Sequence, residues 1–279
     1  MKKKAYAKIN LVLDVVNKRS DGYHNVNMIM QSIGLYDIIY VEKSLNSIEI
    51  SGTGNVPYDK TNLAYRAAKL FFDVTGYRTG AKIHIIKNIP VCAGMAGGSS
   101  DAAAVMAALN ELYGKPLNTR RLMKISSKLG ADVPYCIKGG TASAEGIGDI
   151  IKPLKSIKKT NVVVIKPPIN ISTPWAYSSL DLENLCHPDT DNAKKAIADG
   201  DMKALYSLMG NSFEKSVFNA YPEIKEIKDT LKDMGADASL MSGSGSAVFG
   251  LFENEEKAQK AYEHFKPKYK DCFLTHTNE

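Results

Sequence analysis

Cysteine is sparse in this sequence and never paired. Cys92, Cys136, Cys186 and Cys272 are its four cysteines, with no Cys-x-x-Cys and no histidine at metal-ligand spacing, so they read as reduced, mostly buried thiols rather than a disulfide or metal framework. Long apolar runs are missing as well: nothing approaches the roughly 20 residues needed to span a bilayer. The opening Met1-Lys2-Lys3-Lys4 looks like the charged start of a secretion signal. The apolar stretch 9–16 is broken by Asn10 and Asp14, however, and no cleavage-like site follows, which makes the cytoplasm the expected compartment. There is no internal repeat and no low-complexity linker. Charge of one sign is not concentrated either. The 36 Lys and Arg exceed the 30 Asp and Glu by six, but the lysines are scattered, densest in 152–159 and 266–270, without the interleaved aromatics of a nucleic-acid face.

What is present is organised around Pro90-Val91-Cys92-Ala93-Gly94-Met95-Ala96-Gly97-Gly98-Ser99-Ser100-Asp101. Before it, residues 81–89 alternate as a strand does. After it, Ala102, Val105, Met106, Leu109 and Leu112 recur at helical spacing and stop at Gly114, which places the helix start near Ser99. A helix start offers unpartnered backbone N–H groups and the positive end of the macrodipole. Glycines there let phosphate oxygens approach the backbone closely. Ser99 and Ser100 add hydroxyls that can cap the helix, bind phosphate or reach a phosphate-bound Mg²⁺. On its own, Gly-Gly-Ser-Ser also fits a plain strand-to-helix turn with a serine cap. No Gly-Lys-Ser/Thr follows, so the loop is not a Walker A loop, and its glycine spacing is not that of a dinucleotide fingerprint.

Residues 4–15 form a strand in which Lys8 and Asn10 point the same way, as solvent-facing residues of an edge or as part of a site. A polar turn closes on Gly22-Tyr23-His24 and is followed by the apolar 26–35. Short strands are expected at 38–41 and 47–50, and Asn62 caps a helix carrying Leu63, Ala67, Leu70 and Phe71. A further helix capped by Asn118 or Thr119 runs to Gly130, and Gly130-Ala131-Asp132-Val133-Pro134 reads as an acidic turn at its end. There Asp132 would face the unfavourable end of the helix dipole. Strands at 141–145 and 161–166, five helices over 173–234, two strands around Ser242-Gly243-Ser244-Gly245, a helix at 255–265 and a strand at 272–275 complete an α+β chain. The lysine-rich 153–160 is the best boundary between two domains, 1–155 and 156–279.

The loop resembles the phosphate-binding motif of the GHMP kinases, approximately Pro-x-x-x-Gly-Leu-Gly-Ser-Ser, with Met95 for the Leu and Ala96 for a Gly. An alanine there is expected to hold an ordinary L-residue conformation. The Lys8-Ile9-Asn10 strand, the Gly98-Ser99-Ser100 helix start and the Ser242-Gly243-Ser244-Gly245 turn resemble the three motifs of that family in order. The resemblance implies a two-domain fold, an N-terminal domain like ribosomal protein S5 domain 2 followed by a C-terminal α/β GHMP domain. It also implies ATP-dependent phosphorylation of a small alcohol with Mg²⁺. Ala7-Lys8-Ile9-Asn10-Leu11, Asp21-Gly22-Tyr23-His24 and Gly130-Ala131-Asp132-Val133-Pro134 look like the branch that acts on the 2-hydroxyl of a cytidine-diphosphate-linked methylerythritol on the way to isoprenoids. By that resemblance Asp132 takes the hydroxyl proton and Lys8 assists. Gly94, Met95, Ala96, Gly97, Gly98, Ser99 and Ser100 hold phosphates, while Asn62, Leu63 and Lys87 lie near adenine. Asn10 contacts the reacting end of the substrate, and Tyr23, His24 and Tyr177 receive cytosine. No carboxylate is assigned to the metal, and the protein is expected as a monomer or weak homodimer without nucleic-acid or membrane partners. A kinase for another alcohol, such as mevalonate or homoserine, and a non-catalytic RNA-binding or sensing relative are the alternatives.

Overall fold

In the computed structural model, which describes residues 1–278, the chain opens with two long strands, β1 (Lys2–Lys18) and β2 (His24–Ser44), then β3 (Ile48–Thr53). The segments 26–35 and 38–41, read separately from the sequence, are one strand, because no glycine-proline break separates them and both faces of the middle stretch are buried. Helix α1 (Leu63–Thr75), β4 (Gly80–Ile86), α2 (Gly97–Leu112), α3 (Thr119–Ser126), α4 (Asp132–Lys138), β5 (Thr141–Glu145) and β6 (Ile150–Pro153) follow. Next come β7 (Asn161–Lys166), α5 (Thr173–Ser178), a 3₁₀ turn, α6 (Thr190–Asp199), α7 (Met202–Leu208), β8 (Gly210–Asn211), α8 (Glu214–Ala220) and α9 (Pro222–Asp233). The chain ends with β9 (Ala238–Met241), β10 (Val248–Phe252), α10 (Glu255–Phe265) and β11 (Asp271–His276).

By contact, the elements form two units that interleave along the chain instead of dividing once near residue 155: one comprises 1–7, 35–91 and 96–139, the other 8–34, 92–95 and 140–279. In the first, β4 pairs antiparallel with the last part of β2, Ile38 opposite Ile86, and parallel with β3. Helices α1 and α2 bury Ala64, Ala67, Ala68, Phe71 and Phe72 against Ala102, Val105, Met106 and Leu109, with Ile39, Val41, Ile83 and Ile85 of the sheet beneath. The alanines let the two helix backbones come close, and each buried phenylalanine contributes roughly 1.5–3 kcal/mol. Asn62 caps α1 as expected, its Oδ1 accepting the Ala64 N–H at 2.9 Å, and Gly76 ends the helix at φ 76°.

In the second unit, the first part of β2 pairs with β5, Met28 opposite Ala144, and β5 forms a hairpin with β6. The two-residue β8 lies parallel to β1, Val12 opposite Gly210 and Leu13 opposite Asn211. A separate antiparallel sheet in the order β11-β7-β10-β9 carries α9 and α10. The continuous apolar run Val162 to Ile165 of β7 is buried on both faces, as suits the strand between β10 and β11. Of the four thiols, only Cys272 is buried. Cys136 is half-buried, and Cys92 and Cys186 are exposed on loops, so the expectation of mostly buried cysteines fails for the two that no apolar face covers.

Candidate active site

Four of the expected site positions meet in the second unit. Lys8 and Asn10 are two residues apart on β1 and share a face, but that face is inward: Lys8 is 4% exposed and Asn10 fully buried. The Lys8 ammonium donates to Asn10 Oδ1 at 2.8 Å and to the Gly94 carbonyl oxygen at 2.9 Å. The Lys8 backbone N–H donates to the Met95 carbonyl at 3.2 Å. Burying an ammonium is tolerable only with such partners. Asn10 turns its amide nitrogen to the Met28 sulfur at 3.5 Å, which leaves its oxygen facing the lysine. Gly94 has φ 69°, and a Cβ on it would overlap the Ser242 carbonyl oxygen, so both the backbone angle and the close approach demand glycine. Ser242 Oγ also donates to the Gly94 carbonyl, at 3.1 Å.

The helix start lies in the first unit and differs from expectation at one residue. Ala96 is the N-cap of α2 and takes φ 57°, ψ 29°, the left-handed region an alanine was expected to avoid. The chain must reverse there to aim the first turn of α2 outward, and the strain is on the order of 1–2 kcal/mol. The helix begins at Gly97, two residues before Ser99, and no side chain caps it. Ser100 is buried and gives its hydroxyl to the Tyr6 carbonyl at 2.7 Å. Thus the first-turn N–H groups are left for a ligand, and the glycines leave the approach open. Around this helix start stand the three residues expected near adenine. A Cβ on Gly97 would lie 3.4 Å from Lys87 Nζ, and one on Gly98 would lie 3.6 Å from the Leu63 side chain. Asn62 caps the helix that presents Leu63, giving its own amide N–H to the Pro57 carbonyl at 2.7 Å.

Asp132 is also in the first unit, half-buried. It opens α4 instead of trailing α3, so it sits at the favourable, positive end of a helix dipole. The short turn 127–131 between the two helices hid this in the sequence. Helix α2 packs on α4, and a Cβ on Gly130 would lie 4.0 Å from Ser99 Oγ, which brings the acidic turn beside the helix start.

Two residues with a part in this geometry were not foreseen. Asp37, fully buried within β2, accepts the N–H groups of Asn88 and Ile89 and pairs with Lys87. Asp101, also buried, pairs with the same ammonium at 2.8 Å. Burial chiefly, with Asp37 beside it, pushes the Asp101 carboxyl up to about 8 against the pull of Lys87. Burial alone would lower Lys87, but the two carboxylates outweigh it and hold the ammonium above its ordinary range. A lone aspartate inside the apolar run Ile33-Gly34-Leu35-Tyr36-Asp37-Ile38-Ile39 was the available signal for Asp37.

The aromatic positions also gather in the second unit. His24 stacks on Tyr177 with ring centroids 4.8 Å apart and planes 22° from parallel, and Phe213 meets Tyr177 edge-on at 4.9 Å. Partial burial, with Lys18 nearby, lowers the His24 pKa. Tyr23 stands in solvent, 62% exposed. No helix among the described residues is long and apolar enough to cross a membrane.

Comparison with known proteins identifies the family. The GHMP kinases N terminal domain model matches residues 62–140 and the GHMP kinases C terminal model residues 193–271. The 4-diphosphocytidyl-2-C-methyl-D-erythritol kinase of Clostridium novyi (strain NT) is 48% identical over 276 residues, covering 98% of this chain and 99% of its own. The protein of that name from Caldicellulosiruptor bescii is 45% identical, covering 100% and 99%. A crystal structure of 4-(cytidine 5'-diphospho)-2C-methyl-D-erythritol kinase superposes over the whole of both chains with TM-score 0.86 at 35% identity. Mevalonate kinase from L. major shares the fold, with TM-score 0.77 at 18% identity over 100% of this chain and 96% of its own. The chain belongs to the GHMP kinase family, in the branch of the 4-diphosphocytidyl-2-C-methyl-D-erythritol kinases.

Proposed function

We propose that the chain transfers the γ-phosphoryl group of ATP to the 2-hydroxyl of 4-diphosphocytidyl-2-C-methyl-D-erythritol, a step toward isoprenoid precursors, and does so in the cytoplasm as a monomer or weak homodimer. The observation that carries this reading is the uncapped, glycine-lined helix start at Gly97, beside the Lys87 ammonium, in a chain alike from end to end to kinases of that name. The loop 94–100 holds the β- and γ-phosphates on its backbone N–H groups. The substrate oxygen bonds to the γ-phosphorus as the bridge to the β-phosphate breaks, ADP leaves, and the hydroxyl proton passes to Asp132. Lys8 meets the charge that develops on the transferring group. Phosphoryl transfer through a loose transition state asks mainly for such positioning and charge.

A Mg²⁺ ion brought with the nucleotide would supply charge neutralisation at its phosphates. Among the described residues no three His, Cys, Asp or Glu side chains converge on a metal position. Since Ser100 donates to Tyr6, Ser99 is the hydroxyl that would meet it. Adenine lies by Asn62, Leu63 and Lys87.

Cytosine takes the face of Tyr177 that His24 now covers, with Tyr23 closing from solvent and the His24 ring turning to the polar edge of the base. Asn10 steadies Lys8 at the reacting end. Base stacking on one aromatic is worth about 1–3 kcal/mol, so Tyr177→Ala should raise KM for the cytidylated substrate about tenfold to a hundredfold and leave KM for ATP nearly unchanged. Steady-state kinetics on the folded variant, each substrate varied in turn, checks this; equal effects on both, or none, would remove Tyr177 from the substrate site.

A further inference from the structure

The segment 211–214 carries a buried amide, Asn211, and a half-buried carboxylate, Glu214, which together hold Met241 and the Ser-Gly turn that follows it in the second unit. Asn211 Nδ2 donates to the Met241 carbonyl at 2.8 Å and to the Gly243 carbonyl at 2.9 Å, and its Oδ1 accepts the Phe213 N–H at 3.0 Å. Glu214 Oε1 accepts the Met241 N–H at 2.9 Å, while Oε2 pairs with Lys228. Asn211 is 7% exposed, and burial raises the Glu214 pKa. The peptide groups on both sides of Met241 are thus held by side chains, in a place where apolar packing would be the less costly choice.

What the clamp fixes is next to Lys8. The turn it holds includes Ser242, whose hydroxyl shares the Gly94 carbonyl oxygen with the Lys8 ammonium. The fit is tight: a Cβ on Gly243 would come within 2.8 Å of that same oxygen. The turn is also tied to the loop by the Ala247 N–H to the Ala93 carbonyl at 3.3 Å. We infer that Asn211 and Ser242 are positioning residues for Lys8: the Asn211 amide sets the turn, and Ser242 sets the carbonyl against which the ammonium is held. This rests on the reading of Lys8 as the group that meets transition-state charge. Misplacing such a group by a fraction of an ångström lowers kcat while leaving ground-state binding intact.

The test uses full-length Ser242→Ala and Asn211→Asp in an ADP-release assay, with ATP and the cytidylated alcohol each varied, beside thermal melts and Lys8→Ala. Ser242→Ala should lose about tenfold in kcat, equivalent to about 1.4 kcal/mol and within the range of one hydrogen bond, with both KM values within about threefold and the melting temperature little changed. Asn211→Asp, which turns a carboxylate oxygen toward two carbonyls, should lose more; if it does not fold, Ser242→Ala alone decides. A folded Ser242→Ala with kcat within twofold of wild type, or one that loses only melting temperature, would overturn the inference. Lys8→Ala at wild-type turnover would instead defeat the underlying reading of Lys8.

Discussion

Replacing Asp132 by asparagine is expected to leave a folded protein that binds ATP normally and turns over about 10²–10⁴-fold more slowly, the usual range for loss of a general base. The change is isosteric, and Asp132 is half-buried at the first position of α4, outside the apolar core. Loss of a negative charge from a helix start costs only about 0.3–1 kcal/mol of stability, too little to unfold a domain. The barrier should rise by roughly 3–5 kcal/mol, because the substrate hydroxyl must then give up its proton without an acceptor. ATP affinity measured by calorimetry and single-turnover kinetics separate the two effects. Turnover within a few-fold of wild type in the folded variant would show that another group takes the proton.

The second large effect belongs to Gly94→Ala. Its φ of 69° costs an alanine about 1–2 kcal/mol, and the added methyl would overlap the Ser242 carbonyl and crowd the Gly245 nitrogen at 3.2 Å. Overpacking against backbone adds about 1–3 kcal/mol, for a total near 2–5 kcal/mol of stability. Function should suffer beyond that, because relief of the overlap moves the Gly94 carbonyl that Lys8 and Ser242 both hold. The expected result is a lowered denaturation midpoint together with a loss of about a hundredfold or more in kcat/KM for ATP, as a misplaced catalytic group allows. A variant with wild-type stability and activity would mean that the turn does not press on the loop.

The helices and most strands were legible because their signals are local. Asn62, Gly76, Asn118 and Gly235 punctuate the chain where caps and stops require them, and β7 coincides with the apolar run that marks it. Three features were not legible for physical reasons. The left-handed Ala96 contradicts the residue's own preference, and only the surrounding turn enforces it. The new helix at Asp132 depends on a five-residue reversal after α3 that carries no proline and whose one glycine reads as a stop. Partnerships across long sequence separation, Asp37 with Lys87 and Asn211 with Gly243, leave no periodic trace in either segment. Lys8 and Asn10 were legible as a shared face but not as a buried one, since an alternating strand reads the same at an edge and in a core.

The identity of the phosphate acceptor is tested by following ADP release by the wild-type protein with Mg²⁺ and ATP against a panel of alcohols: 4-diphosphocytidyl-2-C-methyl-D-erythritol, 2-C-methyl-D-erythritol 4-phosphate, mevalonate and homoserine. Rapid ADP release is expected with the first alone, with a new phosphomonoester at its 2-hydroxyl in the ³¹P spectrum. Turnover of the acceptor that lacks cytidine should be much weaker, since the stacking face of Tyr177 would go unused. Rapid turnover of mevalonate or homoserine with none of the cytidylated alcohol, or no ADP release with any acceptor, would overturn the assignment of this acceptor.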